Sequence, residues 1–478
     1  MKLLVFALDG FDPDLFERWR DELPNLSALA QQGCWSRLRS TIPPMTFPAW
    51  SSFLTGVTPD RHGILDFTER IPGRLQVRFV NATHRRFPTF LRLASEQGLK
   101  VGSITLPTTY PPEPLSGFQI SGFDTPLPSK ADFSYIHPST LAVRLNKEFG
   151  GVFFGDFNES RIGRSWHSKT LKKLLAGIQR KGELIRFVNS LCPTDLLVVH
   201  VGETDTVGHH FWCFHDPESP RLMATSNADL TRAINTVYRA ADRLVGNMIE
   251  QLKPQSVMIV SDHGMGGTSN VALHLNRYLE SRGLLRFARR NPAVDAISAM
   301  KKQGMKWIPY RWQQYLFRLG KGKLVSDIES TLRFGSIDWS KTVAYSEELN
   351  YFPAVFLNVI GREPFGVIAP AEIPNLKQEI RTALLEWKDP IEDTPIVQTV
   401  HFAEELYPSA SGNSIPDLIL ELNQPHGYSY ALERSRVSCK AAFRFLQPRE
   451  FIGYKGGTMN GAHRLNGIFI SSESTLLP

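Results

Sequence analysis

Val257-Met258-Ile259-Val260-Ser261-Asp262-His263-Gly264 is the stretch on which the reading of the fold turns. Four apolar residues in a row, with no polar residue between them, describe a strand buried on both faces, as in a parallel sheet covered by helices. The run stops at an acid, a histidine and a glycine, so two ligand-type side chains sit just past the strand's carboxyl end, where open parallel sheets bind their ligands. The pattern recurs: Leu3–Leu8 runs into Asp9-Gly10, and Leu196–Val201 leads through Gly202 and Glu203 to Asp205 and His209. Residues 101–106 form a further apolar run. Helical patterns lie between, at residues 25–32, stopped by Gly33, and at residues 230–252, whose apolar positions recur at steps of three and one. Strands alternating with helices predict an α/β fold, a mostly parallel sheet between helix layers.

The chain has 478 residues, enough for two or three domains or for one large core carrying an insertion. Hydrophobic residues at 42% and charged residues at 21%, mixed in sign, exclude a disordered chain. Cys34, Cys192, Cys213 and Cys439 form no C-x-x-C pair, which argues against a thiolate zinc site and against a disulfide framework. The net charge of +7 does not by itself call for nucleic acid. The first apolar run meets Asp9, Asp12 and Asp14 before it reaches signal-peptide length, and no stretch approaches 18 uninterrupted apolar residues, so the expectation is a cytoplasmic chain with no membrane span.

Three acidic turns at one sheet edge make a negative pocket. Carboxylates held close together repel and raise one another's pKa unless cations lie between them, and carboxylate with imidazole suits Zn²⁺ or Mn²⁺ better than Ca²⁺ or Mg²⁺. Each piece also has a plainer explanation: Asp9 as the cap of the next helix, Asp205 and His209 at i, i+4 as a surface pair. Thr46, in Pro43-Pro44-Met45-Thr46-Phe47-Pro48, lies at a helix start marked by Pro48, with Gly56 near the helix end. It is either an N-cap or a nucleophile whose hydroxyl faces a phosphoryl group held at the helix N-terminus.

Taken together, Asp9, Thr46-Phe47-Pro48, Thr55-Gly56, Pro59-Asp60-Arg61-His62-Gly63-Ile64, Asp205-x-x-x-His209, Ser261-Asp262-His263-Gly264 and Gly461-Ala462-His463-Arg464 resemble the alkaline phosphatase superfamily. The branch is that of the type I phosphodiesterases and nucleotide pyrophosphatases, with relatives described as predicted phosphohydrolases or phosphomutases. The resemblance spans Asp9 to His463. It implies an alkaline phosphatase-like core and two divalent metal ions, one held by Asp9, Thr46, Asp262 and His263 and the other by Asp205, His209 and His463. It also implies hydrolysis of a phosphate mono- or diester of a phosphorylated small molecule, through a phospho-threonine on Thr46. Nucleotide pyrophosphatases usually carry a Lys before the nucleophile and an Asn after the His-Gly-Ile motif; here these positions read Met45 and Asp66-Phe67. Arg362, in Gly361-Arg362-Glu363-Pro364 after the strand-like residues 354–360, is a candidate donor to a substrate anion.

Residues 282–323 stand apart, with eleven Lys or Arg against Asp295 alone, interleaved with Phe287, Trp307, Tyr310, Trp312, Tyr315 and Phe317. They predict a helical insertion over residues 274–334, a lid or a docking surface for an anionic membrane, dividing a core made of residues 1–273 and 335–478. Two other functions stay open on sequence: a phosphomutase of the same superfamily, and a membrane-surface or nucleic-acid binding protein with a vestigial metal site.

Overall fold

The protein is described from a computed structural model covering residues 1–125, 134–150, 162–163, 165–288, 323–409, 415–436, 439–453 and 457–475. Its centre is an eight-stranded sheet in the order Cys34–Arg39, Asn466–Ser471, Ser256–Val260, Leu3–Leu8, Leu196–Val201, Val101–Ile104, Phe118–Ile120, Ile136–His137. From Ser256–Val260 through to Phe118–Ile120 all neighbours are parallel, while Asn466–Ser471 and Ile136–His137 run antiparallel to their inner neighbours. The mostly parallel α/β architecture expected from the apolar runs is present.

Strand periodicity explains the layers. Along Leu3–Leu8, Leu4, Phe6 and Leu8 enter one apolar cluster, while Val5 and Ala7 enter another on the opposite face. The first cluster is roofed by helices Pro24–Gln32, Trp166–Leu191, Glu203–His215 and Ala233–Leu252; the second takes Trp50 and Leu54 from helix Thr46–Thr55 and Leu91 from helix Phe90–Glu96. The helical pattern at residues 230–252 divides at Arg232 into a short turn, Ala228–Thr231, capped by the Asn227 side chain on the Asp229 amide, and the long helix Ala233–Leu252.

A third apolar cluster is built on a four-stranded sheet in the order Ala344–Tyr345, Ala354–Leu357, Leu418–Leu422, Val397–Phe402, packed with helices Leu275–Ser281 and Ile373–Leu385. Phe334, from helix Lys323–Phe334, and Ile337 join the same cluster. The described ends of the 274–334 segment therefore pack with residues 344–432. Residues 289–322, which carry most of its basic and aromatic side chains, lie outside the described residues. Among the described residues no helix is long and apolar enough to cross a membrane.

Strand Gly264–Leu273 links the two parts. It starts at the Asp262-His263 turn and pairs with Ser429–Leu432, Phe443–Phe445 and Gly461–Arg464. In the last of these pairings, which is antiparallel, Met265 faces His463 and Gly267 faces Gly461. The register thus brings His463 to the edge where Asp262 and His263 already lie.

Candidate metal centre

Each local segment presents its side chain for a reason that can be read from the backbone. Asp9 follows the last residue of its strand, and Gly10, at φ +61°, turns the chain so that its N–H donates to Asp262 Oδ1 at 3.1 Å. Capping of the next helix falls to Asp12, which accepts from the Asp14 and Leu15 amides at 2.9 and 3.0 Å, so Asp9 is free of that duty. Thr46 is the first residue of helix Thr46–Thr55, with Met45 at the N-cap, and its hydroxyl makes no capping bond. The capping explanations for Asp9 and Thr46 are therefore excluded.

Seven side chains from five separate stretches meet here. His263 Nε2 lies 3.2 Å from Asp262 Oδ2, 3.6 Å from Asp9 Oδ1 and 3.4 Å from Thr46 Oγ1. Asp205 Oδ1 lies 3.0 Å from His209 Nε2 and 3.6 Å from His463 Nε2. The two groups adjoin, with the His263 and His463 rings stacked at 3.6 Å. Ligand atoms of Asp9, Asp262 and His263, and likewise those of Asp205, His263 and His463, lie within 4.8 Å of one another. All seven residues are buried except Asp205, whose side chain is 22% exposed.

Whether these residues fit cations is decided by two observations. The first is the histidine hydrogen bonding. Nδ1 of His209, His263 and His463 lies 2.8, 3.0 and 2.8 Å from the carbonyl oxygens of Gly461, Gly264 and Pro44. A carbonyl only accepts, so Nδ1 carries the proton and the Nε2 lone pair of each neutral ring faces the cluster, the arrangement that outer hydrogen bonds impose on metal-binding imidazoles. The Nε2 atoms of His209 and His463 are 3.0 Å apart, and two lone pairs at that distance repel unless a positive charge lies against both. Gly461 makes this packing accessible: a Cβ there would lie 2.1 Å from the Gly208 carbonyl oxygen.

The second observation is the carboxylates. Asp9 Oδ1, Asp205 Oδ1 and Asp262 Oδ2 are buried and accept no hydrogen bond among the described residues, and no Lys or Arg there comes within ion-pair distance of them. Burying three carboxylates without such partners is costly, and divalent cations offset that cost. Burial, then the Asp9 charge, pushes Asp262 well above the ordinary carboxylate range. Burial, then His463, drives His263 down to about 3, keeping the ring neutral and able to ligate. The donor set of three carboxylates, three imidazoles and a hydroxyl fits two divalent cations.

Sequence reasoning missed three residues around this cluster. His200 Nε2 and Trp50 Nε1 both lie against Asp9 Oδ2, at 2.8 and 3.2 Å. Tyr351, from the second part of the chain, stacks on His463 with ring centroids 4.3 Å apart and holds its hydroxyl 3.3 Å from His209 Nδ1. A polar His200 inside a strand otherwise buried as apolar residues was the one available signal, because an interior strand histidine needs a partner. Arg362 is placed elsewhere. Its guanidinium is committed to the Asp417 carboxylate at 2.9 and 2.6 Å and to the Leu357 carbonyl oxygen at 2.5 Å, within the second sheet.

Residues 3–431 match the family model for type I phosphodiesterase / nucleotide pyrophosphatase. The chain belongs to that family. Human ectonucleotide pyrophosphatase/phosphodiesterase family member 1 is 32% identical over 112 residues, covering 22% of this chain and 12% of the relative. Venom phosphodiesterase 2 of Crotalus adamanteus is 23% identical over 278 residues, covering 55% of this chain and 26% of the relative. The chain thus matches only a minor part of the length of these relatives. Phosphonoacetate hydrolase from Sinorhizobium meliloti, solved with phosphonoformate, superposes with a TM-score of 0.54 at 15% identity, over 100% of this chain and 91% of that one. That likeness shows a shared fold, the alkaline phosphatase-like one.

Proposed function

We propose that the protein is a two-metal phosphohydrolase or phosphodiesterase that cleaves a phosphate ester through a phospho-threonine on Thr46. The observation that carries the reading is the convergence of Asp9, Asp205 and Asp262, with partnerless buried oxygens, on three inward-facing Nε2 atoms beside the Thr46 hydroxyl. Asp9, Asp262, His263 and Thr46 are assigned to one cation, and Asp205, His209 and His463 to the other, with Zn²⁺ or Mn²⁺ as the ion. When bound, such ions supply Lewis acidity and offset the carboxylate charge.

The chain's own residues supply the rest. Thr46 opens a ten-residue helix, so amides of the first turn and the positive helix end face a phosphoryl oxygen beside the hydroxyl. The Thr46 oxygen attacks phosphorus in line with the leaving alkoxide, which departs with the electron pair of the P–O bond and takes up a proton. Water then cleaves the phospho-threonine, releasing phosphate or a phosphomonoester and restoring the hydroxyl. A mutase would instead pass the phosphoryl group to a second hydroxyl of the same substrate.

A panel of nitrophenyl phosphate mono- and diesters beside phosphosugars, run on protein reconstituted with Zn²⁺ or Mn²⁺, tests the reading. Hydrolysis dependent on added metal and abolished by Thr46→Ala is expected. Isomerised phosphosugar without free phosphate would favour the mutase, and no turnover of any ester would favour a binding protein with a vestigial centre.

A further inference from the structure

Asp9 carries two oxygens with opposite environments. Oδ1 is buried, accepts no hydrogen bond among the described residues, and lies 3.6 Å from His263 Nε2. Oδ2 is met by two nitrogens, His200 Nε2 at 2.8 Å and Trp50 Nε1 at 3.2 Å. The indole N–H only donates, and the imidazole nitrogen facing a carboxylate is bonded to it only when it carries a proton. Both nitrogens therefore donate to the same oxygen, whose lone pairs are taken.

We propose that His200, with Trp50, is a positioning residue that leaves Asp9 a single ligating oxygen, Oδ1, aimed at the cation shared with Asp262 and His263. The inference rests on the reading of Asp9 as a metal ligand. Without the two donors, both carboxylate oxygens become available and the group rotates about its Cβ–Cγ bond, so the ligand loses its set direction. The donors come from different places. His200 stands on strand Leu196–Val201, where its neighbour Val201 pairs with Leu8 just before Asp9. Trp50 stands one turn along the helix that opens with Thr46. One oxygen thereby ties the ligand to the sheet and to the nucleophile helix, which holds Thr46 and Asp9 in a fixed relation. His200 is 4% exposed and Trp50 fully buried, and their rings meet edge to face at 5.7 Å, so both donors are held by packing.

The test measures Zn²⁺ affinity of chelator-stripped full-length protein by competition with a chromophoric chelator. The variants are His200→Leu, His200→Gln, Trp50→Phe and Asp9→Asn, with circular dichroism as a check on folding. His200→Leu is expected to weaken one of two Zn²⁺ sites about 10–100-fold, the range for lost outer hydrogen bonds to a ligand. Trp50→Phe should weaken the same site less, and His200→Gln, whose amide N–H can reach Oδ2, should recover most of the affinity. With Co²⁺ in place of Zn²⁺, His200→Leu should also alter the visible absorption of that site, whereas a merely structural role would leave the spectrum unchanged. Wild-type affinity and spectrum in His200→Leu, or a His200→Gln variant no better than the leucine, overturns the inference. If His200→Leu does not fold, Trp50→Phe decides, and wild-type Zn²⁺ affinity there overturns it too. Asp9→Asn separates the levels: loss of one site in Asp9→Asn with none in the His200 and Trp50 variants refutes the positioning role alone. Two intact Zn²⁺ sites in Asp9→Asn refute the metal assignment beneath it.

Discussion

Asp262→Asn sets the stability of the fold against the chemistry of the site. In the metal-free protein Asp262 is fully buried beside Asp9, and burial followed by that charge raises its pKa well above the ordinary range. A carboxyl raised on folding contributes stability below its unfolded pKa and loses it as pH rises through the folded value. At neutral pH an ionised Asp262 is a cost of about 1.4 kcal/mol for each pKa unit by which it is raised. Asparagine removes that charge and keeps an oxygen for the Gly10 N–H now donated to Oδ1 at 3.1 Å. In chelator the variant should therefore unfold at or above the wild-type temperature. Metal acts in the opposite sense, adding more to wild type than to the variant. An ion present at one hundred times its dissociation constant adds about 2.7 kcal/mol, so two add about 5 kcal/mol to wild type and one about half that to the variant. For 478 residues at about 2.1 cal/mol/K each, the unfolding entropy is about 1 kcal/mol/K. Scanning calorimetry should show a metal-induced rise of about 5 °C in wild type and about half of that in Asp262→Asn. A variant that melts below wild type in chelator, or that gains as much from Zn²⁺, would refute the account of a charge-strained site relieved by cations.

Thr46→Ala should lose turnover on every ester while binding metal nearly as wild type, with Thr46→Ser retaining part of the rate; steady-state kinetics beside metal analysis checks this, and normal turnover in the alanine variant would remove Thr46 as nucleophile. Tyr351→Ala should weaken Zn²⁺ at the His209/His463 site more than Tyr351→Phe, because the phenyl ring keeps the stack on His463 and loses only the hydroxyl near His209; equal effects would contradict the stacking role. Burial, then His210, lowers His167 to about 4, and burial, then Arg85, lowers His62 to about 4, from 6.5. Their stabilising contribution is complete above pH 6.5 and is lost as pH falls through 4, up to about 3 kcal/mol each, so urea midpoints should drop over that window; midpoints that hold or rise on acidification would refute it. Glu363→Gln should cost about 3 kcal/mol or more in denaturant titrations, since it strips Arg70, 6% exposed at the side chain, of its bidentate partner; a cost below 1 kcal/mol would mean that Glu347, at 3.7 Å, suffices. Changing Arg289, Arg290, Lys301 and Lys302 to Gln should spare hydrolysis of a small ester and reduce binding to anionic vesicles; unchanged vesicle binding would reduce that segment to structure.

What was legible in the sequence follows from how each residue reaches the site. Asp9, Asp205, His209, Asp262 and His263 all lie within nine residues of the end of a strand read as a run that is apolar throughout or, in Leu196–Val201, apolar but for His200. Burial on both faces makes such a strand visible as an apolar run without alternation, and parallel topology puts all these ends on one edge, so strand and site are read from the same local pattern. His463 obeys no such rule. It arrives through antiparallel pairing with Met265 across nearly two hundred residues, and only the family resemblance pointed to it. The second sheet escaped as a unit for a related reason: residues 354–360 read as strand-like, but Ala344–Tyr345 is two residues long, too short to carry a period, and the pairing of Ala354–Leu357 with Leu418–Leu422, and of that strand with Val397–Phe402, is set by tertiary contact. Arg362 is a consequence. It lies in the turn after a strand and looked free for an anion, but the register that pairs Val355 with Leu418 also brings Asp417 to it, and the guanidinium is consumed there. His200 and Trp50 show the limit from the other side. Both sit in segments read correctly, a buried strand and a helix, yet their common target is one oxygen of Asp9, which is defined only once sheet and helix are packed. Ligands that punctuate an element are visible in one dimension; the groups that aim those ligands lie inside elements, and their purpose exists only in three.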